Sequence, residues 1–403
     1  MKKIVALVLA LVMCLSLVSF AVADETVDYS SVKLGVITLH DEDSTYDLNF
    51  INSVYEAAAA MGFSEDQVII KKNIPESNEV YEAAMELVDE GCNVIFADSF
   101  GHETYLMKAA TEVPEVEFCH ATGTQAHTSG LNNFHNAFAS IYEGRFLAGV
   151  AAGMKLEEMR QNGQLKGEAP KMGYVGAFTY AEVISGYTSF YLGAKSICPD
   201  VTMEVQFTGS WYDEKEEKAA AEALIASGCD LISQHADSMG APTACENAGV
   251  PNISYNGSTV EACPNTFIMS SRINWAPYFE YICTCVAMGE PFATDWTGSL
   301  LTGSVELSDV NTAVAAENTE FALGMMALLM ASGEFNVFDT ASEGFITVDG
   351  QPLTSYMADV DDFGDYAPDT EVVFDGYFHE SEFRSAPYFN LTIDGITLLN
   401  QLY

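Results

Sequence analysis

The chain has 403 residues, with 58 acidic side chains against 16 basic ones and a formal charge of −42. So acidic a surface repels phosphate backbones and anionic lipid, which argues against nucleic acid as a partner and against a phosphorylated ligand; its plain effect is solubility. The length exceeds one ordinary hydrophobic core, so two lobes are expected.

Residues 1–23 stand apart from the fold. "MKK", the apolar run that follows and "AVA" read as a secretory signal cleaved after Ala23, which places the protein outside the cytoplasm, secreted or at the cell surface. Cys14 offers the alternative of a lipid anchor, but Met13 stands where that signal wants a small residue. No later stretch holds 18 uncharged apolar residues. The eight further cysteines lie in apolar or small-residue contexts and read as free thiols. Cys283 and Cys285 are the close pair, and their spacing suits neither a zinc knuckle nor a redox motif.

From residue 33 the pattern alternates strand and helix. "KLGVITL" (33–39), "QVIIKK" (67–72), "NVIFAD" (93–98) and "VEFCHA" (116–121) read as buried parallel strands. Helical stretches lie between them. In one, Val80, Ala83, Ala84 and Leu87 form a single stripe that Gly91 closes. A long helix over 141–159 and a polar break at 160–171 precede a second block. There, strands at 172–178, 202–209 and 230–234 alternate with helices at 181–197 and 213–228, the latter N-capped by Asp213. "VPNISYN" and "TFIMSS" continue the rhythm. The fold class expected is α/β: two doubly wound Rossmann-like lobes joined by a multi-crossing hinge, with loops at the carboxyl ends of the strands. Residues 24–145 with about 275–310 would make lobe 1, and 146–274 with about 311–340 lobe 2. Residues 341–403, rich in Asp, Gly and aromatics, read as turns and short strands packed on the lobes. "DVDDFGD" (359–365) weakly resembles a calcium loop, with Phe363 at a ligand position.

No nucleophile elbow, zinc-protease motif, P-loop or dinucleotide fingerprint is present. Neither catalysis nor a cofactor or metal is expected, so the chain reads as a binder and not an enzyme. What accumulates is polar and aromatic loops after strands. "DEDSTYDLN" carries Tyr46, Asp47 and Asn49; "DSFGHE" carries Phe100 and Gly101; "FTYAEV" carries Phe178 and Glu182. "GSWYDE" adds Trp211, "QHADS" adds His235 and Asp237, "SYNGS" adds Asn256, and "SSRINWAPY" adds Asn274 and Trp275. Each has a structural alternative. Trp211 could be core packing, His235 a satisfied core histidine, Asp237 a helix cap, and Glu182 a complement to a helix dipole. Together they point to an inter-lobe cleft for a small ligand with a flat ring.

At these residues the chain resembles the basic-membrane-protein family, the purine-nucleoside-receptor-like substrate-binding proteins of ABC transporters. "KMGYVGAFTYAEVISGYTSFYLGAK", "GSWYDEKEEKAAAEALIASGCDLISQHADS" and "NWAPYFEY" carry the resemblance, which spans roughly 33–335. It implies a monomer that clamps a purine base such as adenine, or a nucleoside, and then docks on a membrane permease. Trp211 matches one clamping aromatic, and Tyr46 takes the place of the other. Phe100, Gly101, His235, Asp237 and Asn256 fall on family binding loops. Asn274 and Trp275 stand where one branch has a ribose-contacting Lys, which leaves free base and nucleoside equally open. A sugar or other small polar ligand is the alternative, and a nucleoside-processing enzyme a more distant one.

Overall fold

The computed structural model describes residues 27–360 and 368–403; the expected signal segment, Cys14 and most of the calcium-like stretch lie outside the described residues. Lobe 1 is built on β1 (Leu34–Ile37), β2 (Val68–Lys71), β3 (Val94–Ala97), β4 (Glu117–Ala121) and β5 (Phe134–Ala139). Helices α1 (Thr45–Met61), α2 (Glu79–Asp89), α3 (Glu103–Glu112) and the single turn α4 (Ala126–Ser129) connect them. The chain then enters α5 (Ile141–Gln161) and lobe 2: β6 (Lys171–Gly176), α6 (Ala181–Ile197), β7 (Thr202–Phe207), α7 (Glu214–Ala226), β8 (Leu231–His235), α8 (Gly240–Ala248), β9 (Asn252–Tyr255) and β10 (Phe267–Ile273). It returns to lobe 1 for α9 (Ala276–Met288) and β11 (Asp295–Gly298), and crosses again to β12 (Val305–Leu307) and α10 (Thr319–Ala331) in lobe 2.

The sheets run β11-β5-β4-β3-β1-β2 and β12-β10-β9-β8-β6-β7. Strand order therefore reverses between β1 and β3 in lobe 1, and between β6 and β8 in lobe 2. Both pairs are parallel, with Ile37 opposite Ala97 and Gly176 opposite His235. An open parallel sheet leaves a crevice at the carboxyl end of such a switch point, because the flanking helices depart to opposite faces. The chain crosses between lobes at 139–141, 273–276 and 298–305, a few residues ahead of the expected 145 and 310.

Burial explains the strands. Every residue of β1 and β3 is buried, since helices cover both faces, so these segments are continuous apolar runs without alternation. Val80, Ala83, Ala84 and Leu87 form the buried face of α2, and Gly91 follows that helix at φ +87°. All eight described cysteines are free and buried. Burial lifts their thiols above the ordinary range.

Beyond α10 the chain makes three two-stranded ribbons, β13–β14 (Thr347–Val348, Gln351–Pro352), β15–β16 (Met357–Ala358, Thr370–Glu371) and β17–β18 (Val373–Phe374, Tyr377–Phe378). Last comes β19 (Ile396–Leu398), which adds to the edge of the lobe 2 sheet, parallel to β7.

Candidate functional site

The two switch points face each other and form one small pocket. From lobe 1, Leu39 and His40 follow β1, Tyr46 and Asp47 sit in the first turn of α1, Ser99 and Phe100 follow β3, and Thr122 follows β4. From lobe 2, Glu182 follows β6, Trp211 follows β7, and His235 and Asp237 end β8.

The stretch "DEDSTYDLNF" is half loop and half helix. Ser44 caps α1 and accepts a hydrogen bond from the Asp47 amide. Its hydroxyl donates back to Asp47 Oδ2 at 2.5 Å, and the His40 amide donates to Asp47 Oδ1 at 2.7 Å. Burial pushes the Asp47 carboxyl up, but these hydrogen bonds outweigh it and hold the group below its ordinary value. Tyr46 is not an exposed loop residue. It is partly buried against Phe50, and its hydroxyl donates to the Asp98 carbonyl at 2.7 Å, which fixes the ring at the pocket wall.

Lobe 2 supplies polar groups with capacity to spare. Glu182 Oε1 lies 3.4 Å from His235 Nε2. Burial drives the His235 ring below its ordinary pKa, against the upward pull of Glu182, and His235 Nδ1 is buried without a partner among the described residues. The Asp237 amide donates to the Trp211 carbonyl at 3.0 Å, which ties the two loops together. The Asp237 carboxyl is only 4% exposed, and no described residue donates to it. Burial, with Glu217 nearby, raises its pKa well above the ordinary carboxylate range. When protonated, a carboxyl in this position offers one donor and one acceptor to whatever occupies the pocket.

Aromatic rings run in a chain across the cleft. Phe100 of lobe 1 lies 5.4 Å from Tyr180 of lobe 2, Tyr180 stacks on Phe178 at 5.1 Å, and Phe178 meets Trp211 edge-on at 5.1 Å. The lobes also touch directly, since the Thr45 amide and hydroxyl both donate to the Asp237 carbonyl, at 3.0 and 3.1 Å. The arrangement is therefore closed. In it the pocket holds only about 20 Å³, room for about one water.

Of the thirteen expected residues, Tyr46, Asp47, Phe100, Glu182, Trp211, His235 and Asp237 line this pocket. Six do not. Trp275 is a lobe 1 core residue, 1% exposed and stacked on Phe50 at 4.5 Å, because β10 delivers it under α1 and not into the cleft. Asn274 precedes α9 and is spent on the crossing, accepting from the Ala276 amide at 3.0 Å and donating to Glu306 Oε1 at 3.1 Å. Asn49 points to the same crossing, donating to the Ile273 carbonyl at 2.6 Å and accepting from Arg272 at 3.2 Å. Gly101 donates to Glu76 Oε1 at 2.8 Å, away from the pocket. Phe178 backs Tyr180 and Trp211. Asn256, at φ +63°, donates its backbone N–H to the Ser271 carbonyl at 2.9 Å, while its side-chain Nδ2 is buried without a partner among the described residues.

His40, Ser99, Thr122 and Tyr180 were not anticipated. Thr122 is a non-glycine residue at φ +65°, a strained conformation of the kind that clusters at binding sites. Its signal was available, since the rule of polar residues after strands applies to "HATG" after β4. Among the described residues no cluster of His, Cys, Asp and Glu could hold a metal ion, and no helix is long and apolar enough to cross a membrane.

The family described as ABC transporter substrate-binding protein, PnrA-like (Bmp), matches residues 34–327. A purine-binding protein of Brucella abortus is 32% identical over 224 residues, which are 56% of this chain and 59% of that protein. A Haloferax volcanii protein named as an ABC transporter glucose-binding protein is 31% identical over 225 residues, 56% of this chain and 54% of its own. The chain thus spans less than two thirds of the curated relatives it matches. Among solved structures, ABC transporter solute-binding proteins of Conexibacter woesei and Aeropyrum pernix superpose with TM-scores of 0.61 and 0.63, at 19% and 18% identity. These cover 76% and 78% of this chain and 98% and 94% of theirs, and they establish a shared fold, the two-lobed type I periplasmic-binding architecture.

Proposed function

The chain belongs to the PnrA-like (Bmp) family of ABC transporter substrate-binding proteins, and from that premise we propose that its inter-lobe cleft takes a purine base or nucleoside for import. The observation that carries this reading is Asp237: a buried carboxyl, unpartnered among the described residues, between aromatic walls at the meeting of two switch points. A flat heterocycle between Tyr46 and Trp211 would gain stacking of about 1–3 kcal/mol. Protonated, the Asp237 carboxyl presents one donor and one acceptor, which complement the adjacent N–H and ring-nitrogen pattern along a purine edge. His235 Nδ1, unpartnered in the same wall, adds a second polar contact.

The closed pocket is too small for a base, so capture requires the lobes to part about their three crossings and close again on the ring. Closure, not chemistry, is the functional event, and the closed surface then meets the permease outside the cytoplasm. The protein works as a monomer and needs no cofactor. A sugar is the second reading, favoured by the name of the Haloferax relative and by the pairing of acids with aromatics in the wall. Thermal melts against purines, nucleosides, pyrimidines and hexoses separate the two, since a ligand that binds only the folded state raises the melting temperature. A rise with purines alone supports the proposal; a rise with hexoses alone replaces it. Chromatography of the same mixtures would reveal base release if the site turned nucleosides over.

A further inference from the structure

The family match ends at residue 327, yet the segment after it reaches the cleft. On lobe 1, the Ser385 amide donates to Asp295 Oδ2 of β11 at 3.0 Å, and the Thr297 hydroxyl to the Ser381 carbonyl at 3.4 Å. On lobe 2, β19 extends the sheet, and Asn400 both accepts from the Phe207 amide at 2.7 Å and donates to its carbonyl at 2.9 Å. The Thr179 amide then donates to the Leu402 carbonyl at 2.7 Å, on the loop that carries Glu182. The segment therefore touches both lobes across the mouth of the cleft, more firmly on lobe 2, and its two lobe 1 hydrogen bonds release when the lobes part.

Beneath it lies a second cavity of about 350 Å³, within the range of small-molecule sites. It shares Phe100, Thr122 and Glu182 with the inner pocket, so the two adjoin. Its remaining wall comes from both lobes and from Asp359, Arg384, Pro387 and Asn390 of the segment. Arg384 is a strut here. Its Nε, Nη1 and Nη2 donate to the carbonyls of Ala386, Asp359 and Pro387 at 3.1, 3.3 and 3.2 Å, so its donors are directed to the backbone and not to an anion. The side-chain amide of Asn390 is different. Asn390 is an exposed residue of the cavity lining, and its side chain is bonded to none of the described residues, which leaves both a donor and an acceptor unspent.

We propose that residues 379–403 form a third wall of the ligand chamber, against which a neutral, hydroxylated substituent of sugar class lies while the ring it is attached to sits between the lobes. This rests on the purine reading of the inner pocket. Asn390 and Glu182 offer the hydroxyl contacts, and the acidity of the chain and the engaged Arg384 disfavour a phosphate in the same place. The segment thereby distinguishes a nucleoside from its free base, a discrimination that neither lobe performs alone.

The test is calorimetric titration of the full chain with adenine and with adenosine, for the natural protein, Asn390→Ala and Asn400→Ala. Asn390→Ala removes the free amide; Asn400→Ala loosens the wall from β7. The expected result is an adenosine affinity about fivefold or more weaker in both variants, the loss of one or two hydrogen bonds, with adenine affinity unchanged within about twofold. Equal changes for both ligands, or no change for either, overturn the proposal. If the natural protein binds glucose and neither purine, the base reading fails, and the same variants titrated with glucose decide the wall. A fivefold loss keeps it and an unchanged affinity removes it. Silence of the natural protein toward all three overturns both.

Discussion

At the scale of single residues, the site rests on a few side chains with unspent capacity. Trp211 is the wall that closure brings against Tyr46. Trp211→Ala should weaken purine binding by about 10- to 100-fold, if stacking contributes its usual 1–3 kcal/mol; calorimetry showing unchanged affinity would remove the indole from the role. Asp237→Asn keeps one donor and one acceptor and should bind with little loss, whereas Asp237→Leu should lose about tenfold or more, read in the same titration. These two residues, with Glu182 and His235, were legible because polar residues after parallel strands collect at switch points whatever their ligand. Asn274 and Trp275 carried the same signal in the sequence, yet one is spent on hydrogen bonds at the crossing and the other is a core residue. A residue that ends a strand at a crossing faces one lobe's interior or the cleft according to the crossing angle, which local pattern does not encode.

At the scale of elements, capping and close packing decide what the sequence could reveal. Asp213 caps α7 by accepting from the Glu216 amide, as its spacing before "EKEEK" implies. Asp213→Ala should cost about 1 kcal/mol in denaturant unfolding, and a change near zero would show the cap to be idle. The "YLGAK" stretch in α6 has a packing cause. A Cβ on Gly193 would run into the Phe146 carbonyl of α5, and one on Gly149 into the Phe190 carbonyl, so the two helices touch backbone to backbone. Gly193→Ala should therefore cost about 1–3 kcal/mol although alanine favours helix, and an unchanged midpoint would contradict so close a contact. Strand β5 went unread because "FHNAFA" interrupts its apolar run with His135 and Asn136. His135 is satisfied by the Ala293 carbonyl at 3.0 Å and Glu117 at 2.9 Å, contacts that only the assembled sheet supplies.

At the scale of the whole molecule, many buried titratable groups favour the folded form at mildly acidic pH. Burial pushes Glu143 and Glu217 up to about 7 and Glu380 up to about 8. The folded protein then keeps protons that the unfolded chain releases near 4.5, so stability falls as pH rises from about 5 to about 8. Burial pushes His102 and His120 down to about 4, so the unfolded chain takes up protons near 6.5 that the folded one refuses. Stability is therefore also lost as pH falls from about 6.5 toward 4. The three carboxyls outweigh the two histidines where the windows overlap, so thermal melts should decline as pH rises above about 5, most steeply above about 6.5, and Glu380→Gln should flatten that decline; stability that climbs steadily to pH 8 would contradict these assignments. The two-lobed plan was legible because βα alternation is a local, repeated signal. The bridging of the lobes by residues 379–403 was not, since it depends on where β19 finds an open sheet edge. The central claim is that the inter-lobe cleft captures a purine, and titration calorimetry of the natural protein with adenine and adenosine tests it most directly. One-to-one binding of a purine, weakened at least tenfold by Trp211→Ala, is the predicted result; no heat with either purine, alongside saturable binding of a hexose, would contradict it.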